Sequence, residues 1–316
     1  MITRRIIRIK ILQIIFSYLF SEGKTIDQSE KELFFSIGKF YDLYHKMLYV
    51  IVDLRRYAEN KIEIARNKKA PTYEDLHPNT KFIENQVIRQ VEENEELKRY
   101  VNSKKLGWSQ KKDFLKDLYN RLVESDLFRQ YMDNPDRSYE EDKTMVIQIY
   151  SHFLADYDLL YQQLEEQSVY WNDEVDQIIS MIIKTLKYLK ADQKTGKLIF
   201  PLFKKEEDKD FARKLLQKTI MRYPEFDDLI KENSENWDLE RIAVMDILIM
   251  KMAITEMIEF PSIPTKVTLD EYIEISKFYS TDKSNIFING ILDKVITQLK
   301  AENRIQKQGR GLIGEK

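Results

Sequence analysis

Residues 242–254, IAVMDILIMKMAI, decide the fold class, because Asp246 and Lys251 are the only charged residues in the run. A helix that is apolar on all sides belongs at the centre of a helical bundle. The run is too short, and too often interrupted by charge, to span a bilayer. Asp246 and Lys251 lie about 140° apart around such a helix, so they pair poorly with each other. Each is expected to emerge at the edge of the bundle or to meet a partner such as Arg241.

Composition extends this prediction to the whole chain. The 316 residues include only 8 glycines and 7 prolines, and 33% of them are charged. So few turn-forming residues favour long helices over a fold of many strands, and we predict an all-α protein. Cysteine is absent, which excludes disulfides, thiolate catalysis and cysteine-based zinc sites.

The N-terminus is basic and then apolar, as in a signal peptide. However, polar residues interrupt the apolar part, and no small-residue cleavage site follows it. The absence of cysteine also fits a reducing compartment. We therefore expect a cytoplasmic protein without a membrane partner.

Helical periodicity marks the elements along the chain. The pattern predicts helices near Thr3–Phe20 and Ile26–Ala65, a loop around Asn67–Thr80, and further helices up to residue 190. Residues 198–203, LIFPLF, are predicted to be extended, and the pattern is helical again from Asp208 onward.

Side chains at the ends of the last helices predict how they are capped. Asn236 or Asp238 is suited to cap the central helix, and PSIP at 261–264 marks its exit. Thr268, with Glu271 three residues later, predicts a capping box before the next helix.

Three arginines near the N-terminus are spaced so that Arg4, Arg5 and Arg8 share one edge of the first helix. Residues 1–20 contain no acidic residue to offset them. Positive charge in the first helical turn is unfavourable by about 0.3 kcal/mol, because it faces the positive end of the helix dipole. The cluster is either a solvated helix edge or a binding edge for nucleic-acid phosphates, which the arginine fork suits. The residues alone leave both interpretations open.

Asn289-Gly290 has the sequence of a two-residue hairpin turn, but the neighbouring Phe287, Ile291 and Leu292 follow helical spacing. A glycine inside a helix destabilises it by about 1 kcal/mol relative to alanine. It is therefore usually kept where another helix or a ligand approaches closely, and packing is the commoner cause.

No motif supports catalysis or metal binding. The three histidines, His45, His77 and His152, are scattered and lack the spacing of metal ligands. The sequence also lacks a glycine-rich phosphate loop and a nucleophile elbow. We expect a protein that is not an enzyme and that uses no cofactor or metal.

Three ordered segments resemble a known family. They are NWDLERIAVMDILIMKMAITEM at 236–257, IPTKVTLDEYIEISKFYS at 263–280 and SNIFINGILDK at 284–294. Together they resemble the C-terminal half of the NusB transcription antitermination factors, and TRRIIRIKILQIIFSY at 3–18 resembles the arginine-bearing N-terminal helix of that family. The positions that match the family pattern are Trp237, Arg241, Asp246, Glu256, Pro264, Glu271, Phe287, Asn289, Gly290 and Asp293.

The resemblance implies an all-α fold, a NusB-like pair of helical bundles with a large, mainly helical insertion. It divides the chain into N-terminal family helices at 1–60, the insertion at 61–205, the C-terminal family bundle at 206–300 and a flexible basic tail at 301–316.

The resemblance also implies a function. Family members bind boxA-type single-stranded leader RNA together with NusE, a ribosomal small-subunit protein, and join the transcription elongation complex on ribosomal RNA operons. Carried over by position, the implied RNA-binding residues are Arg4, Arg5, Arg8, Phe16, Asp246, Asp282, Lys283, Phe287 and Asn289. Asp282 and Lys283 are alternatives, because the turn YSTDKS aligns with an ambiguity of one residue.

The chain departs from the family pattern at two positions of the first helix. Ile6 stands where some members carry another arginine, and Phe16 replaces a residue that is often tyrosine.

Two other functions stay open. One alternative is a NusB-fold protein-interaction scaffold that acts through its insertion, with weak or no specific RNA binding. The other is an RNA cytosine methyltransferase fused to a NusB-like domain, but the strands and glycine-rich loop of its cofactor domain are absent from the sequence.

Overall fold

The computed structural model describes residues 1–192, 199–234, 242–281 and 283–314, and these four ranges contain helices and turns but no strand. The prediction of an all-α protein is confirmed. The helices are α1 (Arg4–Leu19), α2 (Ile26–Arg66), α3 (Tyr73–Leu76), α4 (Gln86–Glu92), α5 (Glu95–Lys104), α6 (Lys112–Glu124), α7 (Asp126–Asp133), α8 (Tyr139–Gln148), α9 (Asp158–Glu165), α10 (Val175–Tyr188), α11 (Glu206–Arg222), α12 (Phe226–Glu232), α13 (Val244–Glu259), α14 (Thr265–Tyr279) and α15 (Ser284–Ala301). Residues 199–203 of the segment predicted to be extended are irregular, and residue 198 lies outside the described ranges.

The chain forms two compact units. Unit 1 comprises Met1 and Gly38–Leu202, and unit 2 comprises Ile2–Ile37 and Phe203–Lys316. The long helix α2 begins in unit 2 and ends in unit 1. The identification of 61–205 as an insertion relative to shorter family members stays a prediction.

Helix α13 is the core of unit 2, as its all-round apolar sequence predicts. Every residue from Leu248 to Met257 is buried, and α1, α11, α14 and α15 pack against the helix. The helix ends at Glu259, just before Pro261 and Pro264, which were predicted to mark its exit. The residues proposed as its caps, Asn236 and Asp238, lie outside the described ranges, as do Trp237 and Arg241.

The charged residue in the middle of α13 is fully buried and has a partner. The Nζ of Lys251 lies 2.6 Å from Oδ1 of Asp227 and donates a 2.7 Å hydrogen bond to the carbonyl oxygen of Tyr223. It also sits 3.5 Å from the centre of the Tyr223 ring. Burial lowers the pKa of Lys251, and Asp227 opposes that shift. Lys251 therefore joins α13 to the start of α12.

The capping box predicted at Thr268 and Glu271 is wrong. Helix α14 begins one turn earlier, at Thr265, with Pro264 as its N-cap residue. The backbone of Pro264 is extended, with φ of −60° and ψ of 141°, as is usual for an N-cap residue. Thr268 is instead buried inside the helix, where its hydroxyl donates to Glu256 at 3.0 Å.

Unit 1 is built along α2, whose apolar face is buried as its periodicity predicts. Residues 86–133 form four short helices, α4 to α7. Side-chain caps start three of them, because each cap accepts a backbone N–H three residues ahead. The capping residues are Asn85, Asn94 and Ser125, and Ser138 starts the following helix in the same way.

His45 lies in the core of unit 1 among aromatic rings. Its ring stacks on Tyr100 at 3.9 Å between centres and meets Tyr41 edge-on at 4.3 Å. Burial lowers the pKa of His45 from 6.5 to about 4, although a 2.7 Å contact between its Nδ1 and the Tyr41 carbonyl opposes the shift. The buried histidine is therefore neutral at pH 7.

This shift predicts a loss of stability in acid. In the unfolded chain His45 takes up a proton near pH 6.5, but in the folded chain it does so only near pH 4. Its contribution to stability is therefore intact above pH 6.5 and is lost as the pH falls, by about 2 kcal/mol at pH 5. Urea unfolding of a His45→Gln variant should show a smaller difference between pH 7 and pH 5 than the wild type. The exposed His77→Gln variant is the control, and an unchanged pH dependence in His45→Gln would contradict the prediction.

Part of the tail predicted to be flexible is held against the end of α13. The Nζ of Lys307 donates to the carbonyl oxygens of Met257 at 2.9 Å and Phe260 at 3.2 Å. These carbonyls at a helix C-terminus lack partners within the helix, which is why a lysine binds them. A Cβ atom at Gly311 would lie 1.9 Å from the Pro261 carbonyl oxygen, so only glycine fits there. The segment from Lys307 to Gly311 is thus docked on unit 2.

No helix within the described ranges is long and apolar enough to cross a membrane.

Candidate nucleic-acid interface

The predicted RNA-binding residues that the structure describes lie on α1, at the start of α13 and at the start of α15. Helix α14 runs beside α1 in the same direction. Arg5, near the start of α1, pairs with Glu271 of α14. Gln13, two turns later, meets Tyr279 at the end of α14 at 3.5 Å. A rise of 1.5 Å per residue places Arg5 and Phe16 roughly 16 Å apart along α1. The candidate interface therefore has two ends, an arginine end and an end that holds Phe16.

At the arginine end, two of the three arginines are partly exposed and each is paired with an acid. The Nε of Arg4 donates to Oδ1 of Asp208 at 2.8 Å, and 36% of its side chain is exposed. Arg5 forms a two-pronged pair with Glu271, at 2.9 and 3.0 Å, and is 46% exposed. The hydrogen bonds that Arg5 donates to Glu271 raise the pKa of Arg5.

The third arginine is buried and is part of the core. Arg8 is only 3% exposed, and its Nε and Nη2 donate to both carboxylate oxygens of Glu256 at 2.8 and 2.6 Å. Thr268 and Tyr272 donate to the same carboxylate at 3.0 and 3.1 Å. Burial alone would lower the pKa of Arg8, but the charge of Glu256 raises it above its ordinary value. The network joins α1, α13 and α14.

These contacts show that the arginine edge has acidic partners, which the sequence of residues 1–20 did not indicate. Acids from α11, α13 and α14 offset all three arginines, although residues 1–20 contain none. The edge is thus closer to electrically neutral than its sequence indicates. An open pocket of about 420 Å³ lies beside it. The residues that line the pocket are Thr3, Arg4, Arg5, Arg8, Ile263, Val267 and Glu271.

At the other end, Asp246 joins the start of α13 to the turn between α14 and α15. Its two carboxylate oxygens accept hydrogen bonds from the hydroxyl of Ser280 and, at 2.8 Å, from that of Ser284. The Asp246 side chain is nearly inaccessible to solvent. This arrangement, which we call the serine junction (Asp246, Ser280 and Ser284), fixes where α15 begins.

The helix that starts at the serine junction carries three of the predicted site residues. Lys283 is exposed and is the N-cap residue of α15, whereas Asp282 lies outside the described ranges. Phe287 and Asn289 are half-buried, and the Asn289 amide donates to Asp293 at 3.1 Å. A Cβ atom at Gly290 would meet nothing within 4 Å, so close packing of another helix, one of the two predicted causes, does not explain this glycine. The space beside Gly290 is open to a ligand.

Exposed apolar side chains lie at the ends of the helices that meet here. Phe16 is 39% exposed, and its ring lies 4.7 Å from that of Phe20. Phe278 at the end of α14 and Ile286 at the start of α15 are 81% and 74% exposed. Phe20, Phe278 and Ile286 were not predicted from the sequence. The exposure of Phe278 and Ile286 could have been predicted, because neither falls on the helical spacing of the core positions of its helix.

The arrangement suits binding more than catalysis. One end offers paired arginines, and the other offers aromatic faces beside a polar junction. No group of three histidine, aspartate or glutamate residues within the described ranges could hold a metal ion. Arginines that contact phosphates and aromatic rings that stack on bases are the features of single-stranded nucleic-acid sites.

Comparisons with known proteins found relatives of one family. The family model described as the NusB family matches residues 177–297. Among curated proteins, the transcription antitermination protein NusB of Salinibacter ruber is 41% identical over 114 residues, which cover 36% of this chain and 71% of that protein. The NusB proteins of Chloroherpeton thalassium and Natranaerobius thermophilus are 42% and 38% identical, over 33% and 28% of this chain and 50% and 64% of their own lengths. No solved structure matches. The extent and identity of the first of these alignments show that the chain belongs to the NusB family.

Proposed function

We propose that this protein is an RNA-binding transcription antitermination factor. It binds boxA-type leader RNA together with the ribosomal protein NusE, joins the transcription elongation complex and promotes processive transcription of ribosomal RNA operons. It acts in the cytoplasm and catalyses no reaction. The observation that carries the proposal is that one unit holds partly exposed arginines at one end of α1 and exposed aromatic rings at the other. The names of the relatives, all transcription antitermination proteins, support the same role.

The burial of each candidate residue indicates how it would act. Arg4 and Arg5 are accessible to phosphates, although a phosphate must compete with Asp208 and Glu271. Phe16 presents a ring for stacking on a base, which is worth about 1–3 kcal/mol per base. Arg8 and Asp246 are buried, so we assign them to positioning the interface rather than to touching RNA.

Lys283 and Asn289 complete the proposed interface at the start of α15. Lys283 offers a cation to the backbone, and Asn289 offers an amide to a base edge. Phe287 is half-buried beside them, and the open space at Gly290 allows a strand to approach the helix closely.

Two sets of substitutions separate the contributions of the two ends. Arg4→Ala with Arg5→Ala should make the log–log salt dependence of RNA binding shallower by about 1.4, because two phosphate contacts are lost. Phe16→Ala should weaken binding roughly 5- to 150-fold with little change in that slope. Fluorescence anisotropy at several salt concentrations measures both. The matched control is Arg129→Ala with Arg137→Ala, which removes two exposed, acid-paired arginines from unit 1.

The neutralised arginine edge favours one alternative, a protein-interaction scaffold that acts through the predicted insertion 61–205. On that view the acids beside Arg4 and Arg5 make them surface ion pairs rather than phosphate ligands. RNA affinity that is unchanged by both Arg4→Ala with Arg5→Ala and Phe16→Ala would support the scaffold and contradict the proposed interface. Arg8 is left intact in this test, because its removal would disturb the core.

A further inference from the structure

Unit 1 carries a dense group of lysines that the proposed function does not use. Residues 104–116, KKLGWSQKKDFLK, contain five lysines and a single acid, Asp113. They span the end of α5, a short connection and the first turns of α6. We call Lys104, Lys105, Lys111, Lys112 and Lys116 the lysine patch.

Three of these lysines occupy positions where helix stability favours other residues. Lys105 follows α5 in the left-handed conformation, with φ of 56°, where glycine is the usual residue. Lys111 is the N-cap residue of α6 and provides no side-chain cap, although Ser, Thr, Asp or Asn would. Lys112 adds positive charge to the first turn of the same helix. Departures from local stability of this kind are expected at functional sites.

The connection that carries the patch is rigidly held. The Nζ of Lys46 donates to the carbonyl oxygen of Leu106 at 3.1 Å, and Asp53 accepts the backbone N–H of Trp108 at 2.6 Å. The indole N–H of Trp108 donates to the Lys46 carbonyl oxygen at 2.9 Å. The backbone positions of the patch lysines are therefore fixed by the core of unit 1.

The patch is exposed and only slightly neutralised. Lys104, Lys105, Lys112 and Lys116 are exposed. Within the parts of the chain that the structure describes, no carboxylate lies at ion-pair distance from these four, and Lys111 faces Glu166 at 3.9 Å. The apolar residues of the segment are buried, Trp108 completely and Phe114 to 3% exposure. The patch thus offers charge without an apolar anchor or a ring for stacking.

From these features we propose that the lysine patch is a second RNA-binding surface, which holds the phosphate backbone without reading its sequence. Backbone binding by point charges needs no apolar anchor, because released counterions supply the driving force. An acidic protein partner would instead be expected to use buried aromatic or aliphatic anchors, which this surface lacks. The proposal rests on the proposed function in one respect, that RNA is the ligand of this protein. The role of the lysine patch is to hold RNA that flanks the boxA-like strand.

The test compares a short boxA-like strand, the same strand extended by an unrelated hairpin, and the hairpin alone. Binding is measured for the full chain and for a variant with Lys104, Lys105, Lys112 and Lys116 all changed to Gln. We expect the variant to bind the extended RNA about 10-fold or more weakly, with a salt slope shallower by about 3, and to bind the short strand normally. The matched control changes four exposed lysines elsewhere in unit 1 to Gln. These are Lys69, Lys184, Lys187 and Lys190.

Three results would overturn the lysine patch as an RNA surface. The first is equal affinity of the wild type for the short and extended strands. The second is that the control variant loses as much affinity for the extended RNA as the patch variant does. The third is that polyglutamate displaces a bound, labelled hairpin more readily than unlabelled hairpin of equal charge does. Failure of the proposed function is a separate outcome. In that case the short strand does not bind, while the wild type still binds the hairpin and the patch variant does not.

Discussion

Replacement of Glu256 by alanine should destabilise unit 2 by about 3–5 kcal/mol, because the buried Arg8 guanidinium then keeps only its longer, 3.6 Å contact with Glu271. The same change removes the acceptor for the hydroxyls of Thr268 and Tyr272. Burial and the neighbouring Glu256 also raise the pKa of Tyr272 well above its ordinary value, so its hydroxyl is a donor at every pH of interest. Three helices lose their common contact at once.

Hydrogen exchange is the measurement that suits a chain of two units, because it reports each helix separately. Protection of amides in α1, α13 and α14 should fall in Glu256→Ala and Arg8→Ala, while that of α2 after Gly38 should not. Arg5→Ala is the control, since an exposed pair contributes at most about 1 kcal/mol. A double variant, Arg8→Met with Glu256→Leu, should recover much of the loss, because no charge is left buried. Equal protection in Arg5→Ala and Arg8→Ala would contradict the account of the core.

Asp246→Ala should have the second largest effect, on both stability and RNA binding. Two hydroxyls of the serine junction lose a charged acceptor, which should destabilise unit 2 by about 2–3 kcal/mol. The start of α15 then loses its anchor on α13, so Lys283, Phe287 and Asn289 are no longer held in place. We expect RNA affinity to fall about 10-fold or more, equivalent to at least about 1.4 kcal/mol.

Urea unfolding and anisotropy on the same Asp246→Ala protein test this link between fold and function. Asp270→Ala is the matched control, because Asp270 is an exposed acid on α14. Its removal changes the net charge by the same amount without touching the junction. Normal RNA affinity in a destabilised Asp246→Ala protein would show that the junction does not position the interface.

The fold was predictable from the sequence wherever local pattern decides it. The all-round apolar run at 242–254 predicts a central helix, and α13 is buried along most of its length. The periodicity of 26–65 predicts the long helix that the structure shows as Ile26–Arg66. The capping box at Thr268 was wrong because its hydroxyl has a stronger, distant partner in Glu256.

The candidate interface was less predictable, because its chemistry depends on residues that are far apart in the chain. The acids that neutralise Arg4, Arg5 and Arg8 follow them by more than 200 residues, so no local pattern could reveal them. Local reasoning also had no means to separate buried Arg8 from its exposed neighbours. The apolar exposure of Phe278 and Ile286 depends on where α14 ends and α15 begins, which the serine junction fixes.

The measurement that tests the central claim most directly is binding of a boxA-like single strand, compared with a scrambled strand, with and without NusE. We expect weak, salt-sensitive binding by the protein alone and tighter, sequence-selective binding when the ribosomal protein is present. Equal binding of the two strands in its presence, or none at all, would contradict the account.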